Sequence, residues 1–228
     1  MTDIQKNLSA VKNRIAHAAE GCGRAPKSVR LVTVTKTQTV GAVRTAIEAG
    51  ASVVGENYIQ EAREKFDALS RVPAQWHFIG HLQTNKAKYA VRMFDLIHTV
   101  DSLKLAAELD KQSRKIGKIQ NILIQVNISR ESSKSGVEEA QTLELIKAVS
   151  QYPNLCTQGL MTMPPFFDSP ELARPYFGAL RELRDRIQKN LGIPLKELSM
   201  GMTGDFEVAI QEGATLVRIG TAIFGARS

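Results

Sequence analysis

The 228-residue chain has 43% hydrophobic and 23% charged residues and a formal net charge of +7. This suits a compact globular protein and excludes a disordered or collagen-like chain. No apolar run reaches the length of a membrane span, the start MTDIQKNLSA lacks the features of a signal peptide, and Cys22 and Cys156 stand in no metal or redox spacing, so reduced thiols in a cytoplasmic protein are expected. The charge excess suits an anionic small molecule or nucleic acid. The densest basic segment, 104–118, falls within an amphipathic helical pattern without interleaved aromatics, so a solvated helix face is the expectation and nucleic-acid binding is not.

In chain order, Ile4, Leu8, Val11 and Ile15 predict a helix over residues 3–20. A strand is expected at 30–35 (RLVTVT), a helix at 40–49, a strand at 52–56 and a helix at 58–70 with Ile59, Ala62, Phe66 and Leu69 on its apolar side. Further strands fall at 75–80, 95–100, 121–128, 157–162, 195–200 and 214–219. Helical spacing recurs at 138–150 and at 170–190, where Ser169 is the expected N-cap and Pro170 the first helical residue.

Eight short apolar strands alternating with helices predict one α/β domain over 1–228, a closed (β/α)8 TIM-type barrel; a doubly wound sheet is the alternative. Only TAIFGARS follows the last strand, too little for a full eighth helix, and the extra N-terminal helix is expected to cover the gap.

Barrel chemistry gathers at the carboxyl ends of the strands. Those positions hold Lys36, Asn57, His77 with Gly80, Asn127, Met161, then Ser199, Met200 and Gly201, and finally Arg218, Gly220 and Thr221. Each has an ordinary alternative: Lys36 as a solvated residue, His77 as a core histidine, Arg218 as an ion-pair partner of Glu207 or Asp205, and Met161, Met163, Met200 and Met202 as rim contacts. Their convergence carries the functional expectation. In SMGMTGDFEVAI, Gly201 and Gly204 flank Thr203 ahead of a short helix that Thr203 or Asp205 is expected to cap, which suits a phosphate; VRIGTAIFG adds Gly220 and Thr221. A phosphate cradle opposite an amine suits a phosphorylated carbonyl compound, because lysine condenses with aldehydes. Pyridoxal 5'-phosphate (PLP) fits, and so does the sugar phosphate of a Schiff-base aldolase.

The segments TVTKT, GENYIQE, WHFIGHLQTNK, NISRESSKSG, GLMTM, SMGMTGDFEVAI and VRIGTAIFG, in this order, resemble the pyridoxal phosphate homeostasis protein family. These are PLP-binding barrels similar to the N-terminal domain of alanine racemase, and the resemblance spans essentially the whole chain. It implies that Lys36 carries PLP as a Schiff base. It further implies that Ser199, Gly201, Met202 and Thr203 form one part of a phosphate site, with Gly220 and Thr221 as the other. Arg218 is implied to face the pyridine nitrogen, with Asn57 and His77 on the cofactor side. The family's usual GMS reads GMT here, which keeps the hydroxyl at Thr203.

An arginine only donates hydrogen bonds, so it leaves the pyridine nitrogen unprotonated and the ring a weaker electron sink. The racemase's second base, a tyrosine from a C-terminal domain, has no counterpart expected here: Tyr58, Tyr89, Tyr152 and Tyr176 fall in or beside helices. The expected function is PLP holding in vitamin B6 homeostasis without turnover, as a cytoplasmic monomer. PLP-requiring apo-enzymes are the candidate recipients, no membrane association is expected, and a weak racemase-type enzyme is the alternative. Lys86, Lys88 and Lys134 lie in the resembling segments without an assigned role.

Overall fold

The computed structural model describes residues 2–131 and 134–225; residues 132 and 133 of NISRESSKSG and 226–228 of TAIFGARS lie outside the described residues. Its strands are β1 (Arg30–Val34), β2 (Val53–Glu56), β3 (Gln75–Phe78), β4 (Leu96–Val100), β5 (Gln120–Asn127), β6 (Val137–Glu138), β7 (Leu155–Met161), β8 (Glu197–Ser199) and β9 (Leu216–Ile219). The two-residue β6 pairs with β5 at the side. The other eight run parallel in the cyclic order β1-β2-β3-β4-β5-β7-β8-β9, and closure comes from β1 pairing β9, Arg30 opposite Leu216 through Thr33 opposite Ile219. This closed (β/α)8 barrel rules out the doubly wound sheet.

Strand side chains alternate between two faces. Val32, Val53, Leu96, Leu123, Met161 and Leu216, with Ile79, form the apolar part of the barrel interior. The opposite face, including Val54, Phe78, Ile97, Ile122, Ile124, Leu198 and Val217, joins the larger cluster shared with the helices. Burial on both faces explains why the strands are almost continuously apolar in sequence.

The surrounding helices are α1 (Asp3–Gly21), α2 (Val40–Glu48), α3 (Ile59–Leu69), α4 (Ala87–Met93), α5 (Leu103–Lys115), α6 (Glu139–Val149), α7 (Arg174–Leu191), α8 (Phe206–Gln211) and α9 (Thr221–Phe224). The last two have six and four residues. They leave that arc of the barrel thin, and α1 lies against both of them and against α2, burying Leu8, Val11, Ile15, Ala18 and Ala19. Thr2 and Gln5 start α1 as a capping box, each side chain bonding the other's backbone amide.

Three local expectations change. Ser169 makes no side-chain cap, and Pro170 opens a 3₁₀ turn, Pro170–Ala173, ahead of α7. Ahead of α8, the Asp205 carboxylate does not cap the helix forward; Oδ1 accepts from the Met202 amide at 2.6 Å. Helix α4, at seven residues too short for a readable period, was not expected. Lys118 ends it by donating to the carbonyls of Val91 and Phe94 at 2.8 and 2.7 Å. That is a structural use for part of the basic 104–118 segment.

Strands β7 and β8 approach closely at Gly159, where a Cβ would stand 1.8 Å from the Glu197 carbonyl oxygen. Gly159→Ala is expected to lower unfolding free energy by about 2 kcal/mol or more, read from urea unfolding; an unchanged midpoint would mean that the pair adjusts freely.

Candidate functional site

One cavity of about 330 Å³ opens at the carboxyl ends of the strands. Seven of the ten expected site residues line it: Lys36, Asn57, Met202, Thr203, Arg218, Gly220 and Thr221. His77, Ser199 and Gly201 do not.

Lys36 comes two residues after β1 and is half-buried. Its neighbour Thr37 has φ of 64°, a left-handed backbone seldom adopted by a β-branched residue. Asn57 follows β2 directly, and its Oδ1 is buried without a hydrogen-bond partner among the described residues. Two strands along the rim from β1, the turn after β8 runs through Gly201, whose φ is 89° and whose added Cβ would meet Ala209 Cβ at 2.6 Å. Glycine is needed there for conformation and for space, and the tight turn puts Met202, Thr203 and Gly204 at the cavity. Gly220 and Thr221 arrive from β9. The opening amides of α9 at this turn have no acceptor within the helix. With the Thr203 and Thr221 hydroxyls they form a neutral donor set, suited to an anion although the flanking helices are short.

Arg218 points into this wall from β9. Nη1 donates to Ser199 Oγ at 2.6 Å and Nη2 to the Thr162 carbonyl at 3.0 Å. The alternative ion pair with Glu207 is not formed; Glu207 pairs with Arg14 on α1. Burial lowers Arg218 to about 10, partly offset by Asp205, so it remains a cation at neutral pH. Burial raises the Asp205 carboxyl, opposed by the Met202 amide and by Arg218.

Beneath the cavity the barrel centre is polar. Ser199 Oγ stands 2.8 Å from His98 Nδ1, and His98 Nε2 stands 3.0 Å from His77 Nδ1. The donor-only guanidinium makes Ser199 Oγ an acceptor, leaving its hydroxyl proton for His98 Nδ1. His98 then donates from Nε2 to His77. Reversing the order would leave the serine proton without an acceptor among the described residues. Ser199 and His77 therefore take part in a buried relay that fixes Arg218, at a layer below the cavity. His98 was missed in the sequence because LIHTV reads as a plain strand; its period-two phase with Leu96 was the available signal.

Other signals resolve similarly. Of the four methionines considered, Met161 and Met200 are buried, whereas Met163 and Met202 line the cavity. Pro165, Phe166, Phe167 and Phe224 add an apolar side that was not anticipated. Asn127 organises its own loop, donating to the Glu131 carbonyl at 2.9 Å. Lys86 lies in a side cleft with Arg63 and Tyr89, Lys88 sits over the Tyr89 ring, and Lys134 pairs with Glu131.

The chain matches the family model "alanine racemase, N-terminal domain" over residues 6–228. It is 46% identical over 222 residues to the pyridoxal phosphate homeostasis protein of Aquifex aeolicus, covering 97% of each chain. With that of Escherichia coli K12 it shares 42% over 234 residues, covering 100% of this chain and 98% of the other. Among solved structures it resembles PipY of Synechococcus elongatus with PLP bound, at 33% identity and TM-score 0.86, over 97% of this chain and 100% of that one. The chain belongs to the alanine racemase N-terminal-domain family and, within it, to the pyridoxal phosphate homeostasis proteins.

Burial, with Arg30 adding repulsion, pushes His77 down to about 3. Burial, followed by His77, Arg218 and Arg30, holds His98 well below the usual histidine range. Below about 6.5 the unfolded chain takes up protons that these folded imidazoles refuse, so their contribution is whole above 6.5 and is lost as pH falls, in the case of His77 toward about 3. Unfolding free energy should therefore decline with acidification from about pH 7 to 5, and His98→Gln should flatten that slope by up to about 1.4 kcal/mol per pH unit. Equal slopes in parent and variant would show that His98 titrates normally in the folded barrel.

Proposed function

We propose that this chain is a single-domain, monomeric PLP-binding protein of intracellular vitamin B6 homeostasis that holds the cofactor without catalytic turnover. The observation that carries the reading is the convergence, on one cavity, of the Lys36 amine and the paired turns at Thr203–Gly204 and Gly220–Thr221, which follow β8 and β9, the next strands along the rim from β1. PLP supplies an aldehyde, which condenses reversibly with a primary amine with loss of water, and a phosphate on another part of the same ring.

The residues present fit that group. Lys36 is the amine, two residues past the end of β1. The neutral turn donors and two threonine hydroxyls suit a phosphate, and the orphaned Asn57 Oδ1 is a buried acceptor on the cavity wall. Arg218, held by Ser199 and Thr162, offers donors only and cannot take a proton from a ring nitrogen.

Support for a carrier comes from the lining. None of the four tyrosines lines the cavity; Tyr58 is exposed, Tyr89 lies with Lys86 in the side cleft, and the Tyr176 ring lies 5.7 Å from that of Phe167. The remaining acid, Asp205, is already engaged by the Met202 amide. Nothing among the described helices is long and apolar enough to cross a membrane. The proposed site of action is the cytoplasm, with PLP-requiring apo-enzymes as the recipients.

The test is an absorbance spectrum of the purified protein before and after borohydride, followed by peptide mapping. A band that borohydride bleaches, with the adduct on Lys36, is expected. Lys36→Ala should lose the adduct and bind PLP at least about tenfold more weakly, through the turns alone. A colourless protein that takes up no added PLP would overturn the assignment and favour a Schiff-base aldolase. Incubation with L-amino acids in deuterated water should give no α-deuterium; incorporation would make the protein an enzyme.

A further inference from the structure

A buried polar cluster outside the cavity bonds both residues that flank Lys36. Glu56 closes β2 and is fully buried, and Lys65 on α3 is 4% exposed. Lys65 Nζ donates to the Thr35 carbonyl at 2.6 Å and to Glu56 Oε1 at 2.7 Å, and stands 3.5 Å from Glu61 Oε2. The Thr35 hydroxyl donates to the same Glu56 oxygen at 2.6 Å. On the other side of Lys36, the left-handed Thr37 donates its amide to Glu61 Oε2 at 2.8 Å. Both chain neighbours of Lys36 are thus gripped by three side chains, one from β2 and two from α3.

Stability alone explains this arrangement poorly. Desolvating a buried ion pair offsets most of its attraction, and Glu56 Oε2 has no hydrogen-bond partner among the described residues. Burial accordingly raises the Glu56 carboxyl against the opposing bonds from Lys65 and Thr35. What the cluster does satisfy is the turn: the Thr35 carbonyl just past β1, and an amide carried by a backbone conformation that relaxes unless its surroundings hold it.

We propose that Glu56, Glu61 and Lys65 are positioning residues that hold the strained turn at 35–37 and so aim the Lys36 amine at a reactant anchored by the turns after β8 and β9. The target of the amine rests on the PLP reading above; the holding of the turn does not. An aimed amine gains only against an anchored aldehyde, because an unanchored one can follow the amine wherever it moves.

The variants are Lys65→Met, Glu61→Ala and Glu61→Gln, the last keeping an oxygen for the Thr37 amide. Each is treated with PLP or with pyridine-4-carboxaldehyde, which has no phosphate, then trapped with borohydride and mapped at Lys36. Lys65→Met and Glu61→Ala should slow adduct formation with PLP about tenfold or more and change that with the unanchored aldehyde by less than about twofold; Glu61→Gln should behave as the parent. Unchanged PLP kinetics, or an equal loss with both aldehydes, would overturn the proposal.

Amide hydrogen exchange at Lys36 and Thr37 in the ligand-free protein gives a second reading. It should accelerate about tenfold or more in Lys65→Met and Glu61→Ala but not in Glu61→Gln; unchanged exchange overturns the proposal. If the parent takes up no PLP while the exchange contrast holds, the functional reading fails and the positioning role stands. If Lys65→Met does not fold, the part-exposed Glu61 pair decides.

Discussion

The pairing of β1 with β9 is the constraint on which the site depends. It joins Thr33 to Ile219 across the sheet and closes the barrel, so that residues following those strands, Lys36 on one side and Gly220 and Thr221 on the other, share a rim. An open sheet built from the same strands would leave them at opposite edges. Closure also forces half of each strand's side chains into a narrow interior. Most of that interior is filled by aliphatic residues, and the remainder by a polar column that ends at Arg218.

The cavity and the column below it divide the work by depth. At the mouth, short turns present backbone amides and hydroxyls, which can bind a phosphate without adding net charge. One layer down, a charged guanidinium is held by a serine and a carbonyl, the serine in turn by the neutral His98, and His98 by the neutral His77. Because burial keeps both imidazoles uncharged, the column places no second cation beside Arg218. A comparable division holds at β1, where the amine at the rim stands over a buried network that uses β2 and α3 to fix its backbone.

The sequence made much of this legible. Short apolar runs set between helical periodicities located the eight barrel strands, with bounds off by a residue or two at most ends, and the glycine-bearing turns after the last two strands pointed to one rim. Lys36, Asn57, Thr203, Arg218, Gly220 and Thr221 were recognisable because a polar or turn-forming residue at the exit of an apolar strand is a local signal. His98, Lys65 and Glu56 were not, because each looks like an ordinary residue of its element. Their roles arise from partners that are near in space and come from other elements, as His98 shows with Ser199, 101 residues away.

The chain alone determined the alternation of strands and helices, the apolar strand faces and the chemistry available at the strand ends, since these depend on residue type and spacing. It did not determine which of those side chains meet one another. Ser199 ends β8 and His77 stands one residue before the end of β3, yet their side chains turn inward below the cavity, because in a tilted, closed barrel the depth of a residue depends on strand stagger as well as on position along its own strand. Only the closed tertiary structure fixes that stagger.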